Sequence, residues 1–264
     1  MSINRDKFYH SILSNSIVSK DSSILVCGGG SVDRDVFLSL GYSNVTISNL
    51  DTRVKKDSFE PFKYEHEDAQ RLSCKDNTYD YVVIHAAIHH CSMPHTVLLE
   101  MYRVARLGIL SFESRDSVLM RLLIKLGLAQ EYEQVAVFYN DCKFGGMNNT
   151  DIPNYVFRWT EREIEKTIQS FAPQHRHNFH YYYGSDFPAS PKLELNNSFK
   201  VVFLMLFQPL YFIFSKIFYK QQNQFAFYVA KPTNDDCLFP WLTRDDTSKI
   251  IKFNKVWGES KYKK

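Results

Sequence analysis

Three consecutive glycines, Gly28, Gly29 and Gly30, close the short apolar run Ile24-Leu25-Val26-Cys27, and Ser31-Val32-Asp33 then opens a helix-like pattern. Glycine has no Cβ and tolerates positive φ, so a strand can turn sharply here and bring its backbone close to a ligand. The N–H groups at the start of the following helix have no partner within it and can face a bound group. The segment predicts a site for a nucleotide-like cofactor. A second cluster able to do chemistry is the run Ile84-His85-Ala86-Ala87-Ile88-His89-His90. Histidine changes charge near neutral pH, which makes the adjacent pair candidates for moving a proton.

Several polar residues downstream bear on which cofactor it is. The dinucleotide fingerprint G-x-G-x-x-G fits Gly28 and Gly30, but Asp33 stands where the third glycine allows close helix packing in NAD enzymes. The second apolar run, Val45-Thr46-Ile47, ends near Asn49 and Asp51, either of which can accept ribose hydroxyl hydrogen bonds. Further on, Asp68-Ala69 precedes Asp80-Tyr81-Val82-Val83, a pairing that is not part of the NAD pattern.

Taken together, residues from about Ser23 to Glu113 resemble class I S-adenosylmethionine-dependent methyltransferases of the broad type 11 family, with weaker similarity to Pro232. The resemblance implies S-adenosylmethionine as cofactor. Gly28, Gly29 and Gly30 would cradle its methionine part, Asn49 or Asp51 its ribose, and Asp68 with the Ala69 N–H its adenine. His85 and Ala86 would lie beside the cofactor, and His89-His90 would face the transfer region. Glu100-Met101-Tyr102-Arg103-Val104 resembles the family's E-x-x-R-V helix. Val26 departs from a frequent acidic residue, Val32 from a glycine and Asn49 from the ribose acid. The turn usual before the fifth strand is reduced to Arg106-Leu107-Gly108.

A sulfonium methyl is already activated, so the protein must align a nucleophile with it and exclude water. An alcohol or phenol also benefits from a base, and His90 followed by His89 are the candidates. Glu113 and Arg115 end the fifth strand, at the edge where open α/β sheets bind ligands, and could meet an acceptor. Tyr139, Arg158 and Trp159 fall in an irregular stretch expected to cap the site. No metal is expected: the spacing of His177 and His180 does not converge on a strand, and no H-E-x-x-H or cysteine cluster occurs.

These side chains need a frame. Strands are predicted at Ser23–Cys27, Asn44–Ser48, Tyr79–His85 and Leu107–Glu113. Helices are predicted over 3–19, Val36–Leu40 before the capping Gly41, and Pro94–Val104. This alternation implies a parallel sheet with right-handed crossovers. Beyond it come a helix at Val118–Leu128, a glycine-rich loop at 145–149, a capped helix at Thr160–Ser170 and two closing strands, His177–Tyr183 and Phe225–Ala230. The expected architecture is a Rossmann-like, doubly wound, seven-stranded, mostly parallel α/β sheet with an inserted helical or irregular cap. A single domain would span residues 1–264. Its core would be about 20–113 and 160–232, its insert about 114–159 and 190–220, and its tail 233–264.

The chain has 264 residues, 44% hydrophobic and 15% aromatic, enough for a large core. A net charge of +3 is too small to argue for nucleic acid, and none is expected as a partner. Five cysteines with no C-x-x-C pair suggest reduced thiols, and no signal peptide is apparent, so a cytoplasmic location is expected. Residues 199–219 are strongly apolar but broken by Gln208-Pro209. They are expected to be buried or to form an oligomer contact, with a peripheral membrane contact as the competing reading. The expected reaction is O-methylation of a small acceptor such as a saccharide or phosphorylated surface-glycan precursor. An NAD-dependent oxidoreductase and a catalytically silent binding or membrane-scaffold protein are the alternatives.

Overall fold

The computed structural model describes residues 3–15, 18–186, 198–232, 237–245, 247–248 and 250–263. Ile17, and residues 190–197 of the expected insert, lie outside them. Seven strands form one sheet: β1 (Ile24–Cys27), β2 (Val45–Asn49), β3 (Lys63–His66), β4 (Tyr79–His85), β5 (Ala105–Ser114), β6 (Asn178–Gly184) and β7 (Gln224–Ala230), in the order β3-β2-β1-β4-β5-β7-β6. The first five run parallel, and β7 runs antiparallel to both β5 and β6. The order reverses beside β1, the crevice where open α/β sheets bind ligands.

Alternation along the strands feeds two cores. Ile24 and Val26 face one side with Val45, Ile47, Val83 and Leu110. There they meet α1 (Ile3–Ser14) through Tyr9, Ile12 and Leu13, and α2 (Ser31–Ser39) through Val36 and Phe37. Leu25, Val82, Ile84 and Ile109 face the other side, against Val97, Leu98 and Met101 of α3 (Pro94–Val104) and Ile164 and Ile168 of α6 (Glu161–Phe171). Each such apolar side chain contributes about 1.5–3 kcal/mol when removed from water. Burial on both faces explains why these strands read as near-continuous apolar runs.

Between β5 and α6 the chain forms α4 (Val118–Lys125) and the short α5 (Gln134–Phe138). Ser117 caps α4 by accepting the Met120 N–H. Thr160 caps α6 by accepting the Glu163 N–H, as expected, while the Glu163 side chain turns to His95 instead of completing the box. Residues 198–217 form one helix, α7 (Ser198–Ile217), with Pro209 inside it. The expected break is therefore absent. The expected burial is absent too: Leu206 is 72% exposed and Leu210 62%. Tyr211 and Ser215, each 1% exposed, anchor the helix instead. The sequence did not mark edge strand β3, the short α5, a hairpin of β8 (Leu242–Arg244) with β9 (Ile251–Phe253), or α8 (Lys255–Tyr262). Arg106, Leu107 and Gly108 lie within β5, so α3 passes directly into the strand. None of the described helices is long and apolar enough to cross a membrane.

Candidate functional site

The glycine bend is fixed by its neighbours. Gly28 has φ +61°, and a Cβ there would come within 2.6 Å of the Ala87 Cβ. A Cβ on Gly29 would meet Ile47 Cγ2 at 2.7 Å, whereas one on Gly30 would meet nothing within 4 Å. The bend is thus closed against the protein at its first two positions and open at the third. Gly30 donates its N–H to Asp33 Oδ2 at 2.8 Å, and Gly29 donates to the Ser48 carbonyl at 2.9 Å.

Asn49 lies at the end of β2 but is engaged locally. Its Nδ2 donates to the Gly29 carbonyl at 2.9 Å, and its Oδ1 accepts the Asp51 N–H at 2.8 Å. It holds the bend in shape. Asp51 faces Arg53 at 2.6 Å, and that guanidinium lowers the Asp51 pKa against the smaller opposing effect of burial. Arg53 also lies 4.0 Å over the Phe144 ring, which ties the second-strand tip to the insert.

Asp68 is oriented by Gln70, whose backbone N–H donates to Oδ1 at 2.9 Å and whose Nε2 donates to the same oxygen at 3.2 Å. Ala69 packs against the core that holds α3. Gln70 Oε1 in turn accepts from Ser92 Oγ and the Met93 N–H, both at 2.9 Å, and Nε2 also reaches Asn148 Oδ1 at 3.2 Å. His85 stacks on Tyr9 with ring centroids 4.2 Å apart, and its Nδ1 lies 3.7 Å from Asp33 Oδ1. The Tyr9 hydroxyl, Asp33 Oδ1 and His85 Nε2 are buried without a hydrogen bond among the described residues. Ala86 carries φ +52°, rare for a residue with a Cβ, where the chain leaves β4.

Ala87 then leads into a 3-10 turn, Ile88–His90. The contact between Gly28 and Ala87 therefore sets the glycine bend directly beside the histidine pair. His89 is buried, and its Nδ1 donates to Glu113 Oε2 at 2.6 Å, since a carboxylate only accepts. The other Glu113 oxygen accepts the Ile88 N–H at 2.8 Å. Glu133, at the start of α5, lies 3.3 Å from His89 Nε2 and 3.4 Å from His90 Nε2. Asn154 locks this corner by donating to the His89 carbonyl at 3.0 Å, while its own carbonyl accepts the Glu133 N–H at 2.9 Å.

The charges divide unequally. Burial alone pulls the His89 pKa down, but Glu113 and Glu133 outweigh it and raise the pKa to about 9. Burial pushes Glu133 up, but the two histidines hold it down at about 2. For His90, burial and then the charge on His89 lower the pKa, and Glu133 offsets them only in part. At neutral pH the corner holds an imidazolium at His89 and a neutral, half-buried imidazole at His90. The ligand atoms of His89, His90 and Glu133 also lie within 4.8 Å of one another, a spacing that suits a cation.

The remaining candidates lie elsewhere. Arg115 is buried, with Nη2 on both Glu161 oxygens at 2.7 and 2.6 Å, and its guanidinium lies 5.4 Å from the Tyr183 ring. Arg158 donates to the Val156 and Gln130 carbonyls at 3.1 and 2.6 Å, closing the insert on itself. Trp159 is fully buried against Phe157, His95 and Phe227. Tyr139 is 67% exposed at the end of α5. Of the acceptor-side candidates, only Glu113 touches the histidine pair. Reading the sequence missed Glu133, Asn154, Gln70 and Tyr9. Glu133, Asn154 and Tyr9 act from distant elements, and Gln70, though beside Asp68, finds its other partners in Ser92, Met93 and Asn148.

Residues 26–112 match the family model described as a methyltransferase domain. This stretch is a methyltransferase domain. It begins inside β1, contains the glycine bend, Asp68 and both histidines, and ends at Phe112 of β5. No curated protein matches the chain. Solved structures share the fold at low identity. One is an S-adenosylmethionine-dependent methyltransferase of Methanosarcina mazei, with 15% identity, TM-score 0.51, and coverage of 84% of this chain and 98% of that one. Another is an S-adenosylmethionine-dependent methyltransferase of Thermotoga maritima, with 12% identity, TM-score 0.50, and coverage of 86% and 92%. A third is the 1,6-didemethyltoxoflavin N1-methyltransferase of Burkholderia thailandensis, solved with that acceptor and S-adenosylhomocysteine bound. It shows 11% identity, TM-score 0.50, and coverage of 88% and 80%. The methyltransferase domain's own residues fit an adenosyl cofactor: Gly30 leaves room beside the bend, and Asp68 presents a carboxylate held from one side.

Proposed function

We propose that the protein transfers a methyl group from S-adenosylmethionine to an oxygen of a small acceptor, such as a saccharide or a phosphorylated surface-glycan precursor. The observation that carries this reading is the packing of Gly28 against Ala87, which sets the cofactor bend next to the paired histidines. The cofactor supplies an electrophilic methyl on a cationic sulfur. Gly28, Gly29 and Gly30 would hold its amino-acid end, Asp51 its ribose once released from Arg53, and Asp68 with the Ala69 N–H its adenine. Asn49, His85 and Ala86 would shape the wall between them.

His90 is the proton acceptor in this reading. The neutral His90 imidazole would take the proton of the acceptor hydroxyl as that oxygen is methylated. His89, already protonated between Glu113 and Glu133, has no free lone pair to offer and instead positions His90 and the turn. Arg115, Arg158 and Trp159 act through packing of the insert, and Tyr139 stands at its rim. No metal takes part in this reading, and chelation is expected to leave the rate unchanged. The unpaired cysteines agree with work in the reducing cytoplasm.

Calorimetric titration with S-adenosylhomocysteine and with NAD tests the donor. Binding of the first alone is expected; binding of NAD alone would return the protein to the oxidoreductase class, and binding of neither to a silent scaffold. Uptake of labelled methyl by a panel of sugars, phosphosugars and amines then tests the acceptor. Labelling confined to amines would remove the oxygen assignment.

A further inference from the structure

Two helices each carry a row of exposed apolar residues. On α7, Val202, Leu206, Leu210, Ile213 and Ile217 are all exposed and recur at spacings of four, four, three and four, which is one helical face. On α4, Val118, Leu122 and Leu126 are exposed at spacings of four and form a second such face. Isolated exposed hydrophobes need no account, but contiguous stripes mark an interaction surface.

The opposite side of α7 is pinned to the fold. Tyr211 donates to Asn223 Oδ1 at 3.0 Å, and Ser185 Oγ donates to Ser215 Oγ at 3.1 Å. The helix is therefore held with its apolar stripe outward. The turn after it joins the two helices: Gln221 accepts the Leu119 N–H on its side chain at 3.1 Å and Ser117 Oγ on its carbonyl at 3.3 Å. Gln224, where the chain re-enters the sheet, pairs with Ser114 at the end of β5. That is the edge of the sheet where Glu113 holds His89.

Charge selects the occupant. Neither helix contains an Asp or Glu, and the charged residues on and just after them are Arg121, Lys125, Lys200, Lys216 and Lys220. Arg121 is paired with Asp116 at 3.1 Å, and Lys220 lies 4.0 Å from Glu161; Lys125 and Lys216 are exposed. A second copy of this chain would set basic residues against basic residues across a two-fold interface. An anionic leaflet would take the apolar stripes at its acyl boundary and the lysines at its headgroups.

We propose that α4 and α7 form a docking surface that lays the protein in the plane of an anionic lipid bilayer, with the histidine edge of the sheet beside the membrane. This goes beyond the methyl-transfer reading and is tested without it. The intact protein is sedimented with vesicles of phosphatidylcholine alone and of equimolar phosphatidylcholine and phosphatidylglycerol, at low and high salt. The same is done with a variant carrying Leu206→Asp and Leu210→Asp, at two exposed positions where folding is not expected to suffer. The wild type is expected to sediment with the anionic vesicles, less at high salt, and not with the neutral ones. The variant should lose at least tenfold in bound fraction with its melting temperature and S-adenosylhomocysteine affinity unchanged. Equal binding to both vesicle types, undiminished binding by the variant, or no sedimentation alongside a dimer that the variant dissolves would each overturn the proposal.

Discussion

At the donor end of the site, the hydrogen bonds that shape the glycine bend span few positions. Gly30 reaches Asp33, three residues on, and Asn49 reaches Gly29, twenty residues back. At the acceptor end, His89 is gripped by Glu113, 24 residues on, and by Asn154, 65 residues on. The donor end is built mainly from a strand, a bend and a helix adjacent in sequence, with Ala87 packed on Gly28 from farther along the chain. The acceptor end exists only when the insert has folded over the sheet. In the proposed reading the cofactor is met largely by the local motif, and the acceptor by distant residues.

Substitutions can break that contrast, and the largest effect is expected at His90. His90→Ala should slow methyl transfer by about 100- to 10,000-fold, the usual range for a lost general base. S-adenosylhomocysteine affinity should stay within about two-fold, because the residue lies at the acceptor end. Since burial and His89 lower its pKa, wild-type activity should fall on an acid limb below the ordinary histidine value of 6.5. Single-turnover rates against pH would show it, and an acid limb that persists in the variant removes His90 as the base.

Arg115→Ala tests whether the insert stands on its ion pair. It removes the buried guanidinium from Glu161, which is part-exposed and keeps the Tyr183 hydroxyl as a donor, so about 1–3 kcal/mol of stability is expected to go. Urea unfolding measures it; an unchanged stability would mean that the ion pair does not hold the insert.

Asp68→Ala is the donor-end counterpart. In the proposed reading, loss of this half-buried hydrogen-bonding partner of the adenine should weaken cofactor binding by about 1–3 kcal/mol. Titration with S-adenosylhomocysteine reads this directly, and an unchanged dissociation constant would place the adenine elsewhere.

The smallest effect is a slope. His89 is raised from 6.5 to about 9, so its contribution to stability is complete below about pH 6.5 and disappears as pH rises through about 9. Stability should fall across that window, and Glu113→Gln should flatten the fall. Equal slopes in the two proteins would mean that His89 is not held charged by Glu113.

The same division explains what the sequence disclosed. Strands β1, β2, β4 and β5 are buried on both faces, so apolar runs marked them within a residue or two. Strand β3 reads Lys-Tyr-Glu-His at the sheet's edge, with its ends exposed and only partial burial between, and carries no such signal. The tail looked like a charged surface, yet Phe239 and Trp241 stack at 4.4 Å and Trp257 joins them at 5.8 Å, a cluster too scattered in sequence to give a period. The glycine bend and Asp68 were legible because Asp33 and Gln70, which hold them, are close in sequence; the histidine pair was legible as a doublet, but its partners were not. Glu133 was not: it precedes a five-residue helix in an irregular stretch, and only folding brings it to His89. Arg115 and Trp159 were legible as interesting side chains, but their burial was not, because each is enclosed by elements far along the chain.

Gln70 sits across the seam between the two ends. Its backbone and Nε2 steady Asp68, its Oε1 takes the Ser92 hydroxyl and the Met93 N–H, and Nε2 also reaches Asn148 in the insert. An amide so shared cannot follow one neighbour without loosening another. In the proposed reading, an occupant at Asp68 would therefore meet, through this single amide, both the turn that follows the histidine pair and the loop of the insert.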